Sequence, residues 1–469
     1  MLPILTRSKI QSILTVRNRA APMADSDLMR PAAPSLAVPG NRWSRLARLG
    51  GLASGVAGGM LAEGVRQFAQ GKRPSVGDLL LTPGNARRVA DQLARLRGAA
   101  MKVGQLLSMD AGDLLSAELG EILARLRSDA HPMPMSQLVA VLDTHWGEGW
   151  DRHFERFSFT PMAAASIGQV HAALTRDGRH LAIKVQYPGV RQSIDSDVDN
   201  VATLLRISGL LPKSLNIDPL LEEAKQQLHA EADYLSEGRW LRHYGELLRD
   251  APEFALPEMH DDLSTASILA MTHVGGEPIE SLLGLPQGER DRVTELLFTL
   301  LFREIFEFRL IQTDPNFANY RYDRTTGQLI LLDFGATRAY PVTMVDAYRA
   351  LISGGIAGDN SAMFAAASAI GYFQGEIKDR QRQSVLDIFA LVCEPLRHAG
   401  VYDFGASDLA ARIRDAGMIL GRDREFRHTP PVAALFLHRK LGGLYLLAAR
   451  LKARVDVRRL AECFLVQPA

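Results

Sequence analysis

The segment IQTDPNFANY at residues 311–320, with LLDFGATR at residues 331–338 behind it, decides how this chain is read. Asp314 stands five residues before Asn319, and Asp333 fourteen residues after Asn319, at the end of an apolar run that reads as a strand. Carboxylates and a carboxamide are hard oxygen donors, the ligand type that Mg²⁺ selects. Asn319 and Asp333 are therefore the candidate metal ligands. Asp314 is the candidate catalytic group, placed to orient an attacking hydroxyl or water and to accept its proton. A second Asp-Phe-Gly at 403–405 has no such partners upstream and no apolar strand leading into it, and reads as a loop coincidence.

The order Asp-x4-Asn and then Asp-Phe-Gly resembles that of protein kinases. Working outward, Lys184 in LAIKVQY lies on an expected strand between Ile183 and Val185 and needs an anion there. ATP phosphates supply one in a kinase. Candidate carboxylates are Glu231, Asp233 and Glu237, on one long helix expected from about Asp218 to Arg249. About twenty residues upstream, where a kinase has a glycine-rich turn, stand Ala163, Ala164, Ala165 and Ser166. Alanine lacks glycine's access to positive φ, so this loop is stiffer and holds a nucleotide differently. The Ser166 hydroxyl and nearby N–H groups can still meet phosphate. Thr272, closing a strand from Ala266, and Val274, before Gly275-Gly276, complete the candidate ATP-contacting set.

The chain has 469 residues, 47% hydrophobic and 23% charged, with a formal charge of +1. That composition builds a globular core. The charge balance argues against a nucleic-acid partner bound by net positive charge. Cys393 and Cys463 sit in no metal-ligand spacing and read as reduced thiols. His229 and Glu231 form an HxE, but the PCxxC of a zinc deaminase is missing. His131, His145, His153 and His171 have no metal-ligand rhythm and read as structural or exposed.

Along the chain, residues 1–40 form a basic and then proline-bearing tail, with Arg7, Lys9, Arg17 and Arg19 before the first acid, Asp25. This resembles a transit peptide, but the reading preferred is a bacterial tail or initiation at Met23. Residues 41–70 hold LGGLASGVAGGMLA at 49–62, with Gly51, Gly55 and Gly59 at four-residue spacing. Such spacing suits a membrane or dimerisation helix, although 14 residues are short of a straight bilayer crossing. Residues 71–150 read as helices, 151–275 as a mixed-sheet lobe with a helical insert, and 276–469 as mostly helical. The fold class expected is α+β, bilobal and protein-kinase-like.

These residues together resemble the UbiB family of atypical kinases, also called aarF-domain-containing kinases, in its coenzyme Q (ubiquinone) branch. The matching features are KVGQ at 102–105 (a KxGQ), AAASIGQVH, AIKVQYPGV, Glu231-Ala-Asp233 (an ExD), QTDPNFANY, LLDFGATR and LHRKLGG. Many relatives carry HxDPHPGN, whereas Gln312 to Asn319 lacks both histidines. The resemblance implies ATP or ADP and Mg²⁺ as cofactors. It implies Lys184, its partner Glu237 and Lys102 as catalytic residues beside Asp314, with Lys102, Gln105, Glu231 and Asp233 also regulatory residues that cover the site. It further implies an ATPase or kinase at a membrane, serving quinone biosynthesis with protein phosphorylation suppressed. Expected partners are lipid quinone precursors or membrane lipids, quinone-biosynthesis proteins and a second copy through residues 49–62. The expected location is the cytoplasmic face of a bacterial inner membrane, with the mitochondrial inner membrane as alternative. A nucleotide-dependent scaffold and a true protein kinase are the competing functions.

Overall fold

The computed structural model describes residues 93, 96–110, 132–208, 217–373, 375–423 and 430–465. The basic N-terminal tail, the segment 49–62 and the side chain of Gln105 lie outside the described residues.

The helices before the first kinase-like motif of the second half are α1 (Arg97–Asp110), α2 (Met135–Trp146), α3 (Val190–Ser208), α4 (Asp218–Glu231), α5 (Tyr234–Leu247) and α6 (Gln287–Arg303). After it come α7 (Val342–Ala357), α8 (Asn360–Ile370), α9 (Asp379–Val392), α10 (Glu394–Arg397), α11 (Leu409–Arg422), α12 (Val432–Arg450) and α13 (Val457–Leu465). The strands used below are β1 (Phe154–Phe157), β2 (Ala163–Ala164), β3 (Gly168–Thr175), β4 (His180–Gln186), β5 (Phe254–Ala255) and β6 (Ile268–Thr272). They continue with β7 (Glu277–Pro278), β8 (Leu310–Gln312), β9 (Tyr320–Tyr322), β10 (Leu329–Leu331) and β11 (Thr337–Ala339).

Contacts divide the chain into two units. One holds the described residues up to 238 together with 258–273; the other holds 239–257 and 274 onward.

In the first unit an antiparallel sheet runs β1-β3-β4-β6, with β2 added to β3. The hairpin β3–β4 turns at Asp177-Gly178, where the residue types call for it. Strand alternation then sorts β4. Leu181, Ile183 and Val185 enter an apolar core with Leu138, Leu142, Trp150 and Phe154. Lys184 and Gln186 stand on the other face, and both are buried. Gln186 donates to the carbonyl of Ala232 at 2.9 Å. The single long helix expected over 218–249 is two helices. It breaks at Ala232-Asp233, where the Asp233 side chain accepts the Ser236 N–H at 3.0 Å and caps α5.

In the second unit a small sheet runs β5-β10-β9-β7, and β8 pairs with β11. A short antiparallel pair joins Tyr402–Asp403 to Arg454–Val455, and most of the other described residues of this unit are helical. A mixed α+β fold, mostly helical with an antiparallel sheet in the first unit, is thus what the residue patterns called for. α12 is long and apolar enough by composition to cross a membrane, yet 56% of its most apolar window is buried in protein. It carries buried Arg439 and Lys440, so it is a core helix here.

Candidate functional site

The first unit supplies a buried cation. Lys184 lies at mid-strand, opposite Val170 of β3 and Leu269 of β6, and is 7% exposed. It is no edge-strand lysine facing water. Its Nζ donates to both oxygens of Glu237 on α5, at 2.8 and 2.9 Å, and sits 5.0 Å from the centroid of the Tyr234 ring. Glu237 is itself buried. Removing either charge from such a pair exposes the other to the full cost of desolvation.

A second cation lies on α1. Lys102 is buried, and its Nζ donates to Glu231 Oε1 at 2.6 Å. The other oxygen, Oε2, accepts from the Ser166 hydroxyl. Glu231 therefore ties the helix of the KxGQ to the alanine loop. Gly98 explains how α1 comes so close: a Cβ there would lie 2.5 Å from the carbonyl oxygen of Ser166. Ala163 and Ala164 are exposed on β2, paired with Val170 and Gln169. Ala165 turns the chain, its N–H donating to the Gly168 carbonyl at 2.9 Å. Asp233 serves as the helix cap described above. Thr272 ends β6 and bonds His260 through its hydroxyl at 3.1 Å, while Val274 is a half-buried residue of the second unit.

His171 also belongs to the first unit, and it is structural. Its Nδ1 donates to the Ser158 carbonyl at 2.7 Å, and its Nε2 accepts from Gln169 at 2.8 Å. Burial pushes its pKa down to about 4, against a smaller upward pull from Ser158.

The second unit supplies the oxygen donors, and one hairpin gathers them. Tyr320 pairs with Leu331 across β9–β10, and the Leu332 N–H donates to the Asn319 carbonyl at 3.0 Å. Residues 319 and 333, distant in sequence, are thereby neighbours at the open end of the hairpin. Asp314 joins them directly: its Oδ2 accepts from Asn319 Nδ2 at 3.1 Å. With the amide nitrogen so used, the Asn319 carboxamide presents its oxygen as the remaining donor. Asp333 Oδ1 accepts the Gly335 N–H at 3.0 Å, an Asx turn that orients the carboxylate. The other end of the loop is fixed by Thr313, whose N–H and hydroxyl both bond the Ala336 carbonyl. All three site residues are half-buried. This set of oxygens suits a hard divalent cation such as Mg²⁺.

Sequence reasoning missed the support below this loop. Lys440 of α12 is buried, and donates to Tyr320 at 2.8 Å and Gln312 at 3.2 Å. Its charge partner is Glu304, 3.5 Å away. Glu304 Oε1 accepts from Tyr244 at 2.8 Å and from the Gln312 N–H at 3.1 Å. Burial opposes the charge on Lys440, but Glu304 and Tyr320 outweigh it and hold the ammonium protonated. A signal was present: LHRKLGG sets two cations inside an apolar helix, where they need partners. The second Asp-Phe-Gly is a local turn. Asp403 accepts the N–H groups of Gly405 and Ala406 and pairs with Arg454 at 3.0 Å.

The sequence pattern of the ABC1 atypical kinase-like domain matches residues 125–367. The chain belongs to this family. It is 37% identical over 461 residues to "Atypical kinase COQ8B, mitochondrial" of Rattus norvegicus, covering 98% of this chain and 86% of that protein. It is 37% identical over 429 residues to "Atypical kinase COQ8, mitochondrial" of Saccharomyces cerevisiae, covering 91% of this chain and 85% of that one. Among solved structures, Rv3197 of Mycobacterium tuberculosis, determined with erythromycin, is similar in fold, with a TM-score of 0.54 at 24% identity. That alignment covers 80% of this chain and 95% of that one. For this ABC1 family chain, then, the residues of the paired loops stand inside the matched domain.

Proposed function

We propose that this chain is an ATP-binding atypical kinase or ATPase that supports coenzyme Q biosynthesis at a membrane. The observation that carries the reading is the hairpin that sets Asn319 beside Asp333 while Asp314 holds the Asn319 amide. Asn319 and Asp333 hold Mg²⁺ through their oxygens. Bound Mg²⁺ supplies neutralisation of phosphate charge. Lys184, kept charged and oriented by Glu237, serves the ATP phosphates. Asp314 orients the attacking hydroxyl or water and accepts its proton. Thr272, Val274 and the loop from Ala163 to Ser166 line the nucleotide. Lys102, Gln105, Glu231 and Asp233 regulate access, and the tie of α1 to the alanine loop suppresses protein phosphorylation.

The coenzyme Q assignment rests on the family branch and on the relatives named atypical kinases. Their mitochondrial names support a mitochondrial setting; the inner membrane there, or the cytoplasmic face of a bacterial inner membrane, is part of the proposal. Lipid quinone precursors, other biosynthetic proteins and a second copy through residues 49–62 remain the partners we propose. The test is quinone content in cells lacking the protein. Wild type restores it and Asp333→Asn does not; full restoration by Asp333→Asn would remove the nucleotide from the role.

One observation favours a second reading, a nucleotide-dependent scaffold: the loop hydroxyl of Ser166 is already engaged by Glu231. Phosphate release from ATP in the presence of membranes separates the two. Turnover above that of Asp314→Asn supports the enzyme, and equal background supports the scaffold.

A further inference from the structure

Phe436, Lys440 and Gly443 stand four and three residues apart on α12, which places them on one side of the helix. Each meets a different part of the oxygen-donor loops. The Arg338 guanidinium lies 3.8 Å from the centroid of the Phe436 ring. Arg338 is on β11, opposite Ile311 of β8. Two residues on, the Tyr340 hydroxyl donates to the Ala433 carbonyl of α12 at 2.8 Å. Lys440 grips Gln312 and Tyr320, the two residues that bracket the loop from Thr313 to Asn319. Gly443 lies against the middle of that loop, where a Cβ would collide with Pro315, the neighbour of Asp314.

The loop is short of regular structure of its own, holding one brief 3₁₀ turn at Phe317–Asn319. A rigid helix that contacts it at both ends and in the middle removes its freedom to shift. The chemistry of Lys440 strengthens this. An ammonium buried with one carboxylate neighbour cannot leave its hydroxyl and amide partners without a large desolvation cost. Its anchor is in turn held by Tyr244 and by the Gln312 backbone, so the network closes on the same strand.

We propose that this face of α12 sets the position of Asp314 and Asn319, with Lys440 and Gly443 as positioning residues for the Mg²⁺-nucleotide site. The proposal rests on the nucleotide reading above for its consequence, but the bracing can be read separately. Amide hydrogen exchange of the segment 313–320 is measured in the full chain without nucleotide, in wild type, Lys440→Met, Gly443→Ala and Tyr320→Phe. Arg412→Ala, in a half-exposed ion pair with Glu394, is the control. ATP-analogue affinity is then measured with and without Mg²⁺.

Loop exchange rises about tenfold or more in the α12 variants and stays unchanged in the control. The Mg²⁺-dependent part of the affinity falls about 10- to 100-fold, as for lost outer supports of a metal site, while Mg²⁺-free affinity stays within about twofold. A general loss of stability would lower both affinities together. Should Lys440→Met not fold, Tyr320→Phe removes only the hydroxyl that Lys440 holds and reads the same contact. Loop exchange unchanged in the folded variants overturns the bracing. Equal loss of affinity with and without Mg²⁺ overturns the positioning role. A wild-type chain that binds no nucleotide would instead fail the preceding reading, and exchange would still decide the bracing.

Discussion

Lys184 in the first unit and Lys440 in the second are each buried against a fully buried glutamate, and the two are held differently. Lys184 donates to both oxygens of a single carboxylate, at 2.8 and 2.9 Å. Lys440 stands 3.5 Å from its carboxylate and spends its shorter bonds on Tyr320 and Gln312. The first is a compact pair that keeps a cation charged and aimed. The second is the hub of a network that ties a helix to a loop. A buried charge can thus serve as a reagent or as a fastener, and the bonds it makes distinguish the two.

Removing a carboxylate should give the largest effect. Glu237→Ala and Glu304→Ala each lower unfolding free energy by about 3–5 kcal/mol, measured by denaturant titration. The double changes separate the pairs. Lys184→Met with Glu237→Leu recovers most of the loss, because both charges leave together. Lys440→Met with Glu304→Leu recovers little, because Tyr244, Tyr320 and Gln312 each lose a partner. Equal recovery in both would erase the distinction.

Each unit also holds a histidine shielded from water, His171 and His438, and pH tests them together. His171 and His438 both have pKa values pushed down to about 4 by burial, from an ordinary 6.5. Each is neutral in the fold and protonates in the unfolded chain below 6.5. The stabilisation is therefore complete above pH 6.5 and is lost as pH falls towards 4, by up to about 3 kcal/mol each. His171→Gln should remove about half of that slope in unfolding free energy against pH. A wild-type profile flat between pH 6.5 and 4 would contradict it.

A smaller loss is expected at the contact of α1 with the alanine loop. Gly98→Ala forces a methyl against the Ser166 carbonyl and costs about 1–3 kcal/mol, read as a lower thermal midpoint. The smallest belongs to Arg412→Ala: its partner Glu394 is part-exposed, and the loss stays at about 1 kcal/mol or less.

The burial of Lys184 and its need for an anion were legible in the sequence, and the network of Lys440 was not. Lys184 sits in a short apolar strand, where alternation alone gives its face and its need for an anion. Asp314, Asn319 and Asp333 were legible because a single hairpin, itself marked by apolar runs, brings them together. Lys440 lies 120 residues from Tyr320 and 128 from Gln312, and no local period encodes such a meeting. The break at Ala232-Asp233 was missed for another reason. It contains no glycine or proline, and only the capping side chain of Asp233 marks the start of the new helix. His171 read as structural or exposed from spacing, but its partners Gln169 and Ser158 become visible only once β3 and its neighbours are paired.

The central claim is that the oxygens gathered by the β9–β10 hairpin bind a divalent cation with nucleotide. ATP-analogue affinity of the full chain, titrated with Mg²⁺ in wild type and Asp333→Asn, tests it most directly. The account predicts that Mg²⁺ tightens binding in wild type and has no effect in Asp333→Asn. The same Mg²⁺ dependence in both proteins would contradict it.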